Sequence, residues 1–278
     1  MHRNNYFGYL SWYIYNDIQL TVRREEEFIQ WLTTTRSAES LNKLPFAMDR
    51  HMYFIDTKIY NLEKGLEPTW INMVRDPVER FVSNFHWERS EYLWSLHSWL
   101  LQPPQEWFDK DINTCIISGD SECQFNPESK YLKEHQLTYF CGSSPECKHV
   151  GSMAALQKAK YNAEMYYSVI GIQNDIQTTL EVLEGYIPLF FKGARKEYNK
   201  MGIKQRADDG KVTVIRSSEF VNNDTPRKQN LSELARSILL TNMTLEYEFF
   251  EFVKLRLNLQ ARRLRGHVFH RTDIFENQ

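Results

Sequence analysis

The sequence is poor in the residues that break or soften a chain, with 11 Gly and 9 Pro in 278 positions. That scarcity excludes collagen-like repeats and flexible low-complexity segments. Neither charge is in excess: 34 Lys+Arg stand against 36 Asp+Glu, for a formal net charge of -2. A uniformly basic nucleic-acid binder is thereby excluded, although local basic patches are not. No apolar run approaches the ~18 to 20 residues that a membrane helix needs. The aromatic start, MHRNNYFGYLSWYIYNDIQ, is interrupted by Ser11 and Asn16 and offers no small-residue cleavage site, so it reads as folded core rather than as a signal peptide. What the chain does have is apolar and aromatic side chain, 42% and 14% of residues, beside 25% charged. Such a composition can bury enough surface to offset the ordering entropy, and the length suits a single domain over 1–278 with no linker.

Cysteine is also scarce, but its four copies are crowded: Cys115, Cys123, Cys141 and Cys147 fall within 33 residues. Zinc sites usually pair ligands two to four residues apart, and the steps of eight and six here suit short disulfide loops better than metal or free thiols. Four cysteines allow three pairings, of which Cys115 with Cys123 and Cys141 with Cys147 rearranges the chain least. Asn223, Asn230 and Asn242 each begin a glycosylation sequon, and with paired cysteines they point to a secretory lumen.

Residues 6 to 15 read as a strand and 24 to 35 as a helix with an acid-rich first turn. Met52 to Ile55 and Trp70 to Val74 are short apolar runs expected to be buried parallel strands. The second ends in a clear helix start: Asp76 can cap, Pro77 suits the first helical position, and Glu79 has capping-box spacing. Val78, Phe81, Val82 and Phe85 then recur at helical period, giving the strand, tight turn and helix of an α/β fold. Residues 91 to 150 read as an irregular surface excursion. Beyond them, a helix is expected from Ser152 to Tyr166, a strand from Ser168 to Ile172, and a helix from Asn174 to Tyr186 ended by Pro188. A long helix is expected from Ser232 to Leu264.

Placed after a buried strand, Arg75 to Ser83 sits at the sheet edge where open α/β folds bind ligands. A helix start favours anions, and an adjacent Arg can fork onto a phosphate. A second charged feature is the stretch 192 to 216, with eight Lys/Arg against three Asp/Glu, suited to a polyanion. The run from Lys254 to Arg271 adds six Lys/Arg and no acid.

Several separate blocks resemble the uronyl and heparan sulfate 2-O-sulfotransferase family, over about residues 45 to 260: RHMYFID (50 to 56), INMVRDPVERFVSNF (71 to 85), DINTC with SEC, YFCGSSPECKHVGSMAALQKAKYN (139 to 162) and VIGIQNDIQTTLEVLEGYIPLFFKGA (169 to 194). The resemblance implies a P-loop-NTPase-like α/β sulfotransferase fold, its parallel sheet flanked by helices and ending in a long helix. It implies 3′-phosphoadenosine 5′-phosphosulfate as co-substrate without a metal, and a glycosaminoglycan acceptor sulfated at the 2-O position of hexuronic acid. His51 is implied to be the base, with Arg75 and Ser83 on the donor's 3′-phosphate. Arg89, Lys200, Lys204, Arg206 and Arg216 are implied to meet the acceptor, and the two cysteine loops match the family's disulfides. A Golgi location and a homotrimer belong to the same set of expectations. The family's Lys-containing, Ser/Thr-rich 5′-phosphosulfate loop and its membrane anchor find no counterpart, so the chain is expected to be N-terminally incomplete and weak in transfer. The alternative is a non-catalytic polysaccharide-binding or oligomer partner.

Overall fold

The computed structural model describes residues 8–11, 21–37, 46–49, 52–62, 67–90, 94–95, 101–124, 135–148, 151–200, 203–206, 212–215 and 230–272. In chain order the elements are β1 (Gly8–Ser11), α1 (Val22–Ser37), β2 (Phe46–Asp49), β3 (Trp70–Val74), α2 (Pro77–Glu88), α3 (Gln105–Phe108), α4 (Ile112–Ile117), α5 (Gln136–Cys141), α6 (Met153–Met165), β4 (Tyr167–Ile172), α7 (Ile176–Tyr186), α8 (Pro188–Phe191), α9 (Ala194–Lys200), β5 (Ile203–Arg206), β6 (Val212–Ile215), α10 (Glu233–Asn242) and α11 (Thr244–Thr272). Helices alternate with parallel strands, so the chain is α/β. It divides into two compact units, Met1–Thr69 with Leu132–Tyr166, and Trp70–Tyr131 with Tyr167–Gln278.

In the first unit β1 and β2 pair in parallel, Gly8 opposite Phe46, across a crossover that contains α1, as parallel neighbours require. Helix α1 buries Phe28 and Ile29, leaves Glu26 and Glu27 exposed, and half-buries Glu25, whose carboxyl is raised by that burial. Met52 to Ile55 is buried as expected, but it is no strand. Apolar composition reports burial and not pairing; here the backbone N–H of Phe54 donates to the Tyr139 carbonyl of α5 at 2.8 Å. Gly142, at φ 103°, makes that approach possible, because a Cβ there would lie 2.8 Å from the Phe54 carbonyl oxygen. The Cys141–Cys147 disulfide closes the turn after α5, and Asn162 of α6 donates to the Phe140 and Cys141 carbonyls, satisfying the end of that helix.

The second unit is built on β3 and β4, paired in parallel from Trp70 opposite Tyr167 to Val74 opposite Ile172. Thr179 of α7, fully buried, accepts from the Ile172 N–H at 2.8 Å and donates to its carbonyl at 3.1 Å. Gln260 of α11 donates to the Ser168 carbonyl at 2.7 Å, and Arg256 to that of Tyr167. On α2, Val78, Val82 and Phe85 pack with Ile112, Cys115 and Ile116 of α4 and with Ala235 and Leu239 of α10. The 91 to 150 region is therefore not wholly the surface excursion expected: its Ile112, Cys115, Ile116 and Cys123, tied by the Cys115–Cys123 disulfide, are core.

Two further features differ from expectation. The helix foreseen from Ser232 to Leu264 is two, α10 capped by Ser232 and α11, separated at Met243. Helix α7 ends at Tyr186 as expected, and Pro188 then opens α8, where its fixed φ suits the first turn. Within the basic stretch, β5 and β6 form an antiparallel pair, Ile203 opposite Ile215, so among the described residues parallel pairing holds for the β1–β2 and β3–β4 pairs.

Candidate functional site

Strand β3 delivers the Arg75 to Ser83 segment to the carboxyl end of the β3–β4 pair, Val74 being fully buried opposite Ile172. Asp76 caps α2 as its spacing foretold: Oδ1 accepts the Glu79 N–H at 3.0 Å, and its carbonyl accepts the Arg80 N–H at 2.8 Å. A second partner arrives from 171 residues away. The Tyr247 hydroxyl of α11 lies 2.9 and 3.0 Å from the two Asp76 carboxylate oxygens, one O–H shared between them. Burial, then the hydrogen bond to Asp76 and its charge, push the Tyr247 hydroxyl up to about 12, so it remains a donor at neutral pH.

This geometry narrows the helix start as an anion cradle. Pro77 has no N–H, and the amides of Glu79 and Arg80 already have partners inside the fold. Arg75 keeps 20% of its side chain exposed, with Nη2 3.7 Å from a Glu79 carboxylate oxygen. Ser83, partly buried, follows Glu79 by one helical turn, on the same flank of α2.

The structure corrects the expectation for Arg89, placed above among the acceptor contacts. Its side chain is 4% exposed and bonded to Glu122 Oε2 at 2.6 Å, with further bonds to the Trp107 and Phe85 carbonyls at 3.0 and 3.1 Å. The guanidinium lies over the Phe85 and Trp107 rings at 3.7 and 4.3 Å. The Glu122 bond ties the end of α2 to the first disulfide loop, and the Trp107 contacts tie it to α3. Glu122 also accepts from Lys110 at 3.0 Å and from the Trp107 indole at 2.7 Å. Burial alone would raise its carboxyl, but the hydrogen bonds from Lys110 and Trp107 and the charges of Arg89 and Lys110 hold it below the usual range.

His51, Arg216 and Asn223 lie outside the described residues. Met52, which follows His51, opens the buried segment held by α5. Lys200 ends α9 with 60% of its side chain exposed, 3.4 Å from Glu197. Lys204 and Arg206 fall in β5 opposite Val214 and Val212. Asn230 and Asn242 are exposed. Part of the positive charge is neutralised within the fold: Arg265 forks onto Glu181 at 2.8 and 2.7 Å, and Arg195 lies 3.7 Å from the same carboxylate. The hydrogen bonds from Arg265 and its charge hold the Glu181 carboxyl below the ordinary range.

Both cysteine pairs close as neighbours, Cys115 with Cys123 and Cys141 with Cys147. Tyr247 and Glu122 were missed by sequence reasoning. Glu122 carries a faint signal, an acid inside a disulfide loop that buries Ile112 and Ile116, whereas Tyr247 is one aromatic among several in α11.

A strand, a capped turn carrying Arg75 and a helix carrying Ser83 stand together at the carboxyl edge of parallel strands in an α/β protein. The chain belongs to the sulfotransferase family, whose model matches residues 15–253. Within it, the chain is 31% identical over 260 residues to the uronyl 2-sulfotransferase of Homo sapiens, covering 92% of this chain and 57% of that protein. It is 33% identical over 229 residues to a uronyl 2-sulfotransferase homolog of Drosophila melanogaster, with 78% and 41% covered. Against the heparan sulfate 2-O-sulfotransferase 1 of Xenopus laevis the identity is 32% over 204 residues, with 73% and 50% covered. The chain thus spans about half the length of the curated relatives it matches.

Proposed function

We propose that this chain is a glycosaminoglycan 2-O-sulfotransferase, moving the sulfuryl group of 3′-phosphoadenosine 5′-phosphosulfate onto the 2-hydroxyl of a hexuronic acid in heparan or dermatan/chondroitin sulfate. The observation that carries the reading is the Arg75 to Ser83 turn, buried at its root and presenting a guanidinium and a hydroxyl at the carboxyl edge of β3. Arg75 neutralises and forks onto the 3′-phosphate, Ser83 donates to it, and Glu79 gives up its long contact with Arg75 as the phosphate arrives. His51, as the neutral imidazole, takes the proton of the acceptor hydroxyl. The freed oxygen attacks sulfur in line, a new S–O bond forms, and the old bond to the 5′-phosphate breaks. Its electron pair leaves with adenosine 3′,5′-bisphosphate.

The same reading makes 1–278 one sulfotransferase domain of P-loop-NTPase-like fold, working in the Golgi lumen as part of a homotrimer. The two disulfides and the exposed Asn230 and Asn242 sequons suit an oxidising, glycosylating compartment. Lys200, Lys204, Arg206 and Arg216 are the proposed acceptor contacts.

Calorimetric titration with adenosine 3′,5′-bisphosphate tests the nucleotide site. Losing a charge-assisted fork in Arg75→Ala should weaken binding about ten- to a hundredfold. Equal affinity for both proteins removes the nucleotide assignment. Transfer of labelled sulfate to desulfated heparan or dermatan chains then tests the base, His51→Ala losing about a hundredfold or more. A chain that binds nucleotide and polysaccharide without transfer is the non-catalytic partner.

A further inference from the structure

The cap residue next to Arg75 is held by more than its own helix. Asp76 offers Oδ1 to the Glu79 amide, and both of its oxygens face the Tyr247 hydroxyl. One phenol thus holds the side chain that caps the turn. Tyr247 is only partly buried, and its ring meets Phe250 at 6.4 Å, so the body of the side chain is anchored in α11 while the hydroxyl reaches the turn. Helix α11 is itself fixed on β4, the partner of β3, through Gln260 and Arg256. The turn is therefore referenced to the sheet by two routes, directly through β3 and indirectly through α11.

We infer that Tyr247 is a positioning residue for the nucleotide site, setting the angle at which Arg75 leaves β3 and so the place where its guanidinium meets the 3′-phosphate. The inference rests on the functional reading above. A fork onto phosphate tolerates little misalignment, because both N–H groups must point at acceptor oxygens together. A cap carboxylate held from one side only is free to rotate, and Arg75 moves with the backbone it caps.

The test uses Tyr247→Phe, which keeps the ring and removes the hydroxyl, in the wild-type and Arg75→Ala backgrounds. Two readouts are taken well below the melting temperature of every variant: amide exchange across residues 75 to 80, and affinity for adenosine 3′,5′-bisphosphate. The expected result is faster exchange at Glu79 and Arg80 and about five- to tenfold weaker nucleotide binding, with no further weakening when Arg75 is already Ala. Faster exchange with unchanged affinity makes Tyr247 merely structural and overturns the inference while leaving the functional reading in place. Equal weakening in both backgrounds also overturns it, since the effect then bypasses Arg75. A wild-type chain that does not bind the nucleotide overturns the functional reading, and the positioning role falls with it. If Tyr247→Phe does not fold, Asp76→Asn, which retains an acceptor oxygen for the cap but halves the acceptors facing the phenol, is read against the same outcomes.

Discussion

Replacing Arg89 with Ala removes a cation from a place that water does not reach. The side chain is 4% exposed and makes three hydrogen bonds, to Glu122, to the Trp107 carbonyl and to the Phe85 carbonyl. Its loss strands a carboxylate that is 18% exposed, along with two carbonyls, and opens a gap between the Phe85 and Trp107 rings. Breaking a buried pair from one side costs about 3–5 kcal/mol, because the remaining charge keeps its desolvation penalty. Lys110, 3.0 Å from Glu122, offsets part of this, which places the expected loss near the lower end, about 3 kcal/mol. For a chain of this size that corresponds to a fall in Tm of about 10 °C. Urea unfolding followed by circular dichroism measures the loss, with Glu122→Gln and the double variant completing a cycle. The double variant should be more stable than the two single losses summed, since removing both charges leaves neither stranded. A loss under about 1 kcal/mol, the range of a solvent-exposed pair, would refute the claim that Arg89 is a structural tie and return it to the acceptor surface.

Thr179→Val keeps the shape beneath Gly171 but orphans the Ile172 N–H and carbonyl, and should cost about 1–3 kcal/mol in the same urea assay. Gly142→Ala meets both a positive φ and the Phe54 carbonyl oxygen, 2.8 Å from the added Cβ; it should destabilise by more than about 1 kcal/mol and expose Met52 to Ile55 to protease. Asp120 and Glu122 are both held below the usual carboxylate range in the folded chain, Asp120 chiefly by its hydrogen bond from Lys110. Their contribution is therefore fully present above the unfolded carboxyl pKa, near 4, and fades as pH falls through the lowered folded values. Thermal melts should show stability falling steadily below about pH 4, with a shallower fall in Glu122→Gln.

The part of the molecule legible in advance is the part whose signals are local. Asp76, Pro77 and Glu79 announce a helix start whatever surrounds them, and α2 begins at Pro77. The neighbour pairing of the cysteines follows the same logic of short closure. Met52 to Ile55 misled because an apolar run says that a segment is buried, while its hydrogen-bond partner, Tyr139, is remote in sequence. The 91 to 150 stretch misled because its helices are short: α4 has six residues, too few for helical periodicity to show, and the disulfide stands in for length. Arg89 looked like a surface cation because nothing near it in sequence reveals Glu122. The proposed nucleotide side of the site is thus half readable: Arg75 from its turn, Ser83 from the family resemblance, Tyr247 only from packing across 171 residues.

The reach of Tyr247 also has a consequence in time. A chain emerging from the ribosome N-terminus first completes β3 and α2 long before α11 exists, so the Asp76 carboxylate waits for its phenol until nearly nine-tenths of the sequence has been made. On the proposed reading, ligand competence at that edge is consequently among the last properties the nascent molecule acquires, and a chain that stops between residues 88 and 247 carries the cap residue without the phenol that fastens it.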